Sequence, residues 1–290
     1  MNVAAENLYC IHCFGNLVVT DGTVLCTSCK KVYKKHENDT LVFLDTSVSE
    51  KWNDKASSDA LVHKFKMCAK RYPKFFLALY YLSGMFVGKS AKSALRNMPE
   101  NALILNIGSG AKKIRDSVIN IDSYPFQGVH VVADVYQLPW KDQTVDAIVA
   151  ESLCEHLLHP ERAINEMYRV LKPGGLLYVV TPFMLGYHSS PNDYYRWTIP
   201  GLRVLFFLFQ ERESGVAWGP TASMRSIFGG WLATLLSFGS SVLYQLWSIF
   251  FTFLFGPLTV IDYLFKYFPF SQDLAHGFYY IGTKDKPFSP

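Results

Sequence analysis

Charge is missing from one long stretch of this sequence: from Ser226 to Ile261 there is no Asp, Glu, Lys or Arg. A helix crossing a bilayer needs about twenty apolar residues, so the run is long enough for one span. Acid is missing from a second stretch. Between Leu61 and Asn97 every ionised side chain is basic (Lys64, Lys66, Lys70, Arg71, Lys74, Lys89, Lys92, Arg96), and Phe65, Tyr72, Phe75, Phe76, Tyr80, Tyr81 and Phe86 are interleaved with them. Cysteine is scarce, and six in 290 residues exclude a disulfide scaffold. The first residues, MNVAAENLYC, lack a basic region followed by an apolar core, so no signal peptide is expected. A net charge of +4 is too small to point to a polyanionic partner by itself.

Four of the six cysteines form two Cys-x-x-Cys pairs, Cys10-Ile-His-Cys13 and Cys26-Thr-Ser-Cys29. Between them LVVTDGTVL reads as a hairpin with Asp21-Gly22 at its turn. Four thiolates complete a tetrahedral Zn²⁺ site with no open position, which makes the site structural and the compartment reducing. Residues 1–45 are therefore expected to form a zinc ribbon, with His12 and His36 in solvent. Such a ribbon either grips a nucleic acid or protein, or only docks on the rest of the chain. Residues 46–97 read as a polar linker followed by the basic aromatic segment, taken as helical. That composition suits nucleic acid or an anionic membrane surface, or two helices laid over a sheet with lysines reaching to water.

Residues 98–225 form the core. ALILNIGS, from Ala102 to Ser109, turns sharply at Asn106-Ile107-Gly108-Ser109-Gly110. Three more apolar runs end in or near an acid: VINID at Asp122, VVADVYQLPW at Asp134, and VDAIVAES at Glu151. In an open α/β sheet those carboxyl ends line the ligand crevice. A dinucleotide-binding loop would carry a third glycine where Lys112 stands.

The ordered set IGSG, NID, ADVYQLPWKDQTVDAIV, EHLLHP and EMYRVLKPGGLLYVVTP resembles the class I S-adenosylmethionine-dependent methyltransferases of the type 11-like group. The resemblance runs from about Asn101 to Pro182 and takes in GFYYIGTK near the C-terminus as a last strand. It implies a Rossmann-like α/β fold with a mostly parallel seven-stranded sheet and S-adenosyl-L-methionine as the methyl donor. By type, Gly108 and Gly110, with Asn106 and Ser109 in the same loop, fall to the methionine portion. Asp122 falls to the ribose hydroxyls, Asp134 with Val135 to the adenine, and Glu151 to the neighbourhood of the sulfonium.

Only seven residues separate Gly110 from Val118, and seven separate Asp122 from His130. A parallel crossover takes a dozen or more, so the first two crossovers are expected to lack helices. Residues 61–97 are the candidate cover for the bare face. ERAINEMYRVL reads as an amphipathic helix with Ala163, Ile164, Met167 and Leu171 inward and Glu161 and Glu166 in solvent.

On the acceptor side three candidate bases stand out: His156, and His188 and Asp193 in the loop from Phe183 to Thr198. Tyr187, Tyr194 and Arg196 of that loop suit recognition of a polar acceptor such as a sugar. Residues 226–273 read as a hydrophobic helical insertion broken near Gly239 and at Gly256-Pro257, ahead of the final strand and tail in 274–290. Because that strand returns to the sheet, one complete crossing is excluded. In-plane or re-entrant helices fit, as does burial against another subunit. The expectation is O-methylation of a glycan, lipid-linked or small-molecule hydroxyl at the cytoplasmic face of a membrane. RNA base methylation with the ribbon as clamp, and a non-catalytic scaffold, are the alternatives; oligomeric state is left open.

Overall fold

Short apolar runs pair along the chain into one main sheet, with a small ribbon sheet at its edge. A computed structural model describes residues 5–20, 23–35, 40–44, 84–110, 112–188 and 192–285. The ribbon holds β1 (Leu17–Thr20), β2 (Thr23–Cys26) and β3 (Val32–Lys34), paired antiparallel. The chain then runs through β4 (Leu41–Val42), α1 (Ala91–Ala94), β5 (Ile104–Ile107), β6 (Val118–Asp122), β7 (Val131–Val132) and β8 (Val145–Glu151). It continues through α2 (Pro160–Val170), β9 (Leu171–Pro182), α3 (Ile199–Leu205) and β10 (Phe209–Trp218). Last come α4 (Pro220–Leu236), α5 (Ser241–Phe255), α6 (Asp262–Phe265) and β11 (Gly277–Lys284).

The main sheet has the order β10-β11-β9-β8-β5-β6-β7-β4. Its strands from β4 to β9 are parallel, and β11 is antiparallel to both neighbours. The seven expected strands are present and an eighth is added: β4 leaves the ribbon and pairs Leu41 with Val131 and Val42 with Val132. Thr40 Oγ1 donates to the Val129 carbonyl at 2.8 Å and Phe43 N–H to the Val132 carbonyl at 2.8 Å. A two-residue strand leaves almost no periodicity to read, yet it caps the edge that β7 would otherwise expose.

Among the described residues no helix joins β5 to β6 or β6 to β7, as the spacing predicts. One face of the sheet carries α2, α3 and the ribbon in a shared core that includes Leu8, Trp140, Ile164, Met167 and Phe206. The other face is covered by Ala91 and Leu95 against Ile104, Val118, Tyr178 and Tyr279. Tyr178 Oη donates to the Lys89 carbonyl at 2.9 Å, and Lys89 pairs with Glu213 at 2.6 Å. The C-terminal part of the expected cover therefore lies where the missing helices leave room; residues 61–83 fall outside the described residues.

Helix α2 starts with Pro160 in its first turn and buries Ala163, Ile164, Met167 and Val170 on the sheet. Two details differ from the sequence reading. Leu171 is the first residue of β9, and Lys172–Gly175 lie within that strand, beside a register shift opposite Val145 and Ala147. Glu166 is not in solvent: it accepts the Leu138 N–H at 2.7 Å and a forked pair of bonds from Arg169.

The insertion folds as a helical hairpin. Helix α4 ends before Gly239, which turns the chain at φ +80, and Ser240 Oγ caps α5 through the Leu243 N–H. Gly256 and Pro257 end α5 in a tighter turn. Asp262 is fully buried and accepts the N–H groups of Thr221 and Ala222 at 2.8 and 3.1 Å, which fastens the far end of the insertion to the start of α4. Most of the exposed large apolar side chains among the described residues lie here, including Trp231, Phe238, Leu246, Phe250 and Leu264. Within Ser241–Phe265 an 18-residue window has a mean hydropathy of 1.6, and the stretch is long and apolar enough to cross a membrane. Yet β11 returns between β10 and β9, so both ends of the insertion stay on one side.

Candidate active site

The turn after β5 holds two glycines in the left-handed region, Gly108 at φ +69 and Gly110 at φ +53. A Cβ on Gly108 would lie 2.9 Å from Leu153 Cδ1, whereas a Cβ on Gly110 would meet nothing within 4 Å. The Gly110 backbone therefore borders open space, in reach of a ligand. Asp122 ends β6 beside it, its Oδ2 accepting the Gly110 N–H at 2.8 Å and its Oδ1 the Tyr124 N–H at 3.1 Å. Burial pushes this carboxyl above its usual range, although those N–H groups oppose the shift. Ser109 is buried, with its N–H on the Ile121 carbonyl at 3.0 Å.

Asp134 is exposed just past β7 and accepts the Tyr136 N–H at 2.9 Å, with Val135 half-buried next to it. Glu151 ends β8 in an ion pair with Lys112, so a lysine from the glycine turn reaches across the carboxyl ends of the strands. Ser152 follows at φ +51, an uncommon conformation for a side chain of this type. Asn106 is buried, with Nδ2 donating to Asn120 Oδ1 at 3.0 Å and to the Lys112 carbonyl at 3.4 Å, so it braces the glycine turn from β5.

The acceptor side is built from the turn after β8 and the loop after β9. Glu155 is fully buried, and neither carboxyl oxygen has a hydrogen-bond partner among the described residues. Burial raises its pKa to about 8, against the field of Arg196. His156 follows, Nδ1 lying 2.6 Å from the Asn192 carbonyl oxygen and Nε2 3.8 Å from Glu155 Oε1. The His188 ring is 4.9 Å from the His156 ring, and burial together with His156 lowers its pKa. The two predicted histidines are thus brought together, joined by a glutamate the sequence reading did not single out.

Asp193 and Arg196 sit differently. Their side chains form a two-pronged ion pair, and Asp193 Oδ2 also accepts the His188 N–H at 2.9 Å. Although burial opposes it, Arg196 holds the Asp193 carboxyl below the usual carboxylate range, which makes it a poor base. Arg196 donates as well to the carbonyls of Leu185, Gly186 and Tyr195, so its donors serve the loop. Tyr187 and Tyr194 are exposed. Behind the loop His276 is buried with Nδ1 3.0 Å from the Met184 carbonyl oxygen, and burial pushes its pKa down to about 4.

The four ribbon sulfurs converge. Cys10 and Cys29 Sγ are 3.6 Å apart, Cys13 and Cys26 Sγ 3.4 Å apart, and all four lie within 4.8 Å of one another. Zn–S bonds of about 2.3 Å in a tetrahedron put sulfurs about 3.8 Å apart, so the set fits zinc. The two knuckles repeat one geometry. Phe14 and Lys30, each one past a Cys-x-x-Cys, both have φ 61 and donate to the carbonyls of Cys10 and Cys26. Tyr9 donates its N–H to Pro139, Lys141 its N–H to Asn7, and Leu8 is buried beside Trp140. Tyr9 and Phe14 share a cleft with Asp134 and Tyr136, so the ribbon borders the expected adenine end of the site.

Residues 91–179 match the family profile of a methyltransferase domain. This chain carries an S-adenosylmethionine-dependent methyltransferase domain. The chain resembles the ubiquinone/menaquinone biosynthesis C-methyltransferase of Ruegeria sp., at 38% identity over 79 residues, 27% of each chain. It also resembles an uncharacterized methyltransferase of Mycobacterium leprae, at 30% identity over 135 residues, 40% of this chain and 50% of that one. The chain thus spans half or less of the length of these curated relatives. Among solved structures, phosphoethanolamine N-methyltransferase 2 of Haemonchus contortus overlaps 81% of this chain and 61% of its own, at 12% identity and a TM-score of 0.43.

Glu155 and Lys112 are the functional candidates of the methyltransferase that sequence reasoning passed over. Glu155 lies inside the quoted EHLLHP motif, and a carboxylate next to the candidate base was the available signal. For Lys112 the only signal was its place where another nucleotide-binding loop keeps a glycine.

Proposed function

We propose that this methyltransferase transfers the methyl group of S-adenosylmethionine to a hydroxyl of a lipid-linked, glycan or small-molecule acceptor at the cytoplasmic face of a membrane. The observation that carries the reading is the pairing of a polar cluster (Glu155, His156, His188) with an exposed helical hairpin, free of charge over residues 226–261, inserted between β10 and β11 of the same sheet. Gly108, Ser109 and Gly110 hold the methionine portion, and Asp122 exchanges its Gly110 N–H for two ribose hydroxyls. Asp134 and Val135 meet the adenine. Glu151, paired with Lys112, would lie at the sulfonium end. The open space in front of Gly110 and the carboxylate at its rim suit that cofactor.

Bound S-adenosylmethionine supplies an activated methyl on a sulfonium. The chain's own work is alignment, exclusion of water and handling of one proton. For an acceptor hydroxyl, neutral His188 would be the base available to take the one proton released on methylation. Asp193 and Arg196 brace the loop that carries it, and Tyr187 and Tyr194 border the acceptor. Zn²⁺ on Cys10, Cys13, Cys26 and Cys29 holds the ribbon in shape.

The experiment compares wild type with His188→Ala, Asp193→Ala and Asp122→Ala. Calorimetry should show S-adenosylmethionine bound about tenfold or more weakly by Asp122→Ala, since a charged hydrogen-bond acceptor is lost. Turnover of an extracted membrane acceptor should collapse in His188→Ala with cofactor affinity intact. Unchanged turnover in both His188→Ala and Asp193→Ala would sink the hydroxyl reading. The C-methyltransferase likeness favours a second reading, methylation of a ring carbon on a lipid-soluble quinone, which uses the same surface and cofactor.

A further inference from the structure

Two hydrogen-bond acceptors, His156 Nε2 and a Glu155 carboxyl oxygen, face one another beside His188. His156 Nδ1 lies 2.6 Å from the Asn192 carbonyl oxygen, and a carbonyl only accepts, so Nδ1 carries the proton. In the neutral ring Nε2 therefore presents its lone pair, and it does so 3.8 Å from Glu155 Oε1. That is too long for a hydrogen bond shared through a proton on the carboxyl. Glu155 is fully buried with both oxygens unpartnered among the described residues, an arrangement folded proteins rarely tolerate. His188 closes the third side, its backbone N–H held by Asp193 Oδ2 at 2.9 Å and its ring 4.9 Å from that of His156. One ligand atom from each of Glu155, His156 and His188 lies within 4.8 Å of the others.

We propose that Glu155, His156 and His188 bind a divalent transition-metal cation, separate from the zinc of the ribbon. Ligands bonded to one cation at about 2.1 Å stand about 3 to 4 Å apart, so side-chain shifts of up to about an ångström complete the site. The Asn192 carbonyl plays the outer partner that fixes tautomer and ring direction in metal-bound histidines. Two imidazoles and one carboxylate select Zn²⁺, Co²⁺, Mn²⁺, Fe²⁺ or Ni²⁺ over Mg²⁺ and Ca²⁺, and three protein ligands leave positions open.

The use of those positions rests on the acceptor reading above. An acceptor hydroxyl bound to the cation loses its proton to water more readily, the metal keeps its oxidation state, and the resulting alkoxide or phenoxide is the nucleophile. His188 then serves as ligand rather than base. Glu155 supplies the charge that keeps the cation in place.

The test loads the full-length protein with one equivalent of Zn²⁺, which the four ribbon thiolates take first, and then titrates it with Co²⁺ alone, following d–d absorption and metal content per chain. Wild type should hold one zinc and take up one Co²⁺ more. Glu155→Gln and His188→Ala should each weaken Co²⁺ binding at least about 100-fold while keeping the ribbon zinc, with folding checked by circular dichroism. Wild type that binds no Co²⁺ beyond its zinc overturns the proposal and needs no variant to do so. So does Co²⁺ binding that neither substitution weakens. Methyl transfer is assayed separately, so Co²⁺ bound without transfer counts against the acceptor reading and leaves the metal site standing.

Discussion

Arg169 joins the ribbon to the sheet, and its removal is the sharpest available test of that union. Its guanidinium donates to both Glu166 oxygens at 2.8 and 2.7 Å, to Asp142 at 2.6 Å, and to the carbonyls of Trp140 and Leu138 at 2.8 and 3.1 Å. It also stacks over the Tyr9 ring at 5.2 Å. Asp142 is largely exposed, so that arm contributes about 1 kcal/mol or less. The Glu166 arm is different, because that side chain is only 13% exposed and would be left charged without its cation. Breaking a buried pair from one side costs about 3–5 kcal/mol. With Arg169 itself 25% exposed, solvent screening brings Arg169→Ala to about 3 kcal/mol in all. Arg169→Lys keeps the charge but loses the fork and should cost about half as much. Adding Glu166→Gln to Arg169→Ala should restore part of the loss, since no orphaned carboxylate remains. Urea unfolding reads these differences, and amide exchange should accelerate over residues 8–16, where the ribbon docks. A loss below about 1 kcal/mol for Arg169→Ala, with exchange in the ribbon unchanged, would refute the reasoning.

His276 is held neutral by burial, with its pKa lowered from 6.5 to about 4. The unfolded chain therefore binds the extra proton first, and stability present above pH 6.5 is lost as pH falls towards 4, by about 3 kcal/mol in all. His276→Gln should flatten that acid limb in urea titrations run across the same range. Gly108→Ala forces a side chain into φ +69 and against Leu153, and should weaken S-adenosylmethionine binding at least about tenfold by calorimetry. Phe238 stands 87% exposed at the tip of the helical hairpin, and Phe238→Asp should cut co-sedimentation with anionic vesicles about tenfold or more.

The parallel strands were legible because each is a short apolar run ending in or near a polar residue, whereas their order rests on pairing between distant segments. The same spacing argument anticipated the missing helices after β5 and β6, where ten or fewer residues must bridge two strands. Gly239 and Gly256-Pro257 marked the breaks of the insertion through their backbone chemistry alone. What stayed hidden has a common cause: it depends on partners distant in sequence. Strand β4 is two residues long, and only its pairing with β7 makes it a strand. Glu166 sits at a helix position that reads as solvated, yet Arg169 and the Leu138 N–H draw it inward. Asn106 reads as a cofactor contact from its place before the glycines, while its bond to Asn120 across the sheet has no local signal. Arg196 and Asp193 read as acceptor groups until three loop carbonyls and a mutual ion pair accounted for their bonds. Glu155 was overlooked beside the more familiar histidine, since nothing local signals that both its oxygens lack partners.

The most direct measurement is transfer of labelled methyl from S-adenosylmethionine into fractionated membranes and RNA by wild type and Asp122→Ala. Label should appear in the organic-soluble or glycan fraction with wild type and fall sharply with Asp122→Ala. Label confined to RNA, or none in any fraction despite cofactor binding, would contradict a methyltransferase that works on a membrane-borne acceptor.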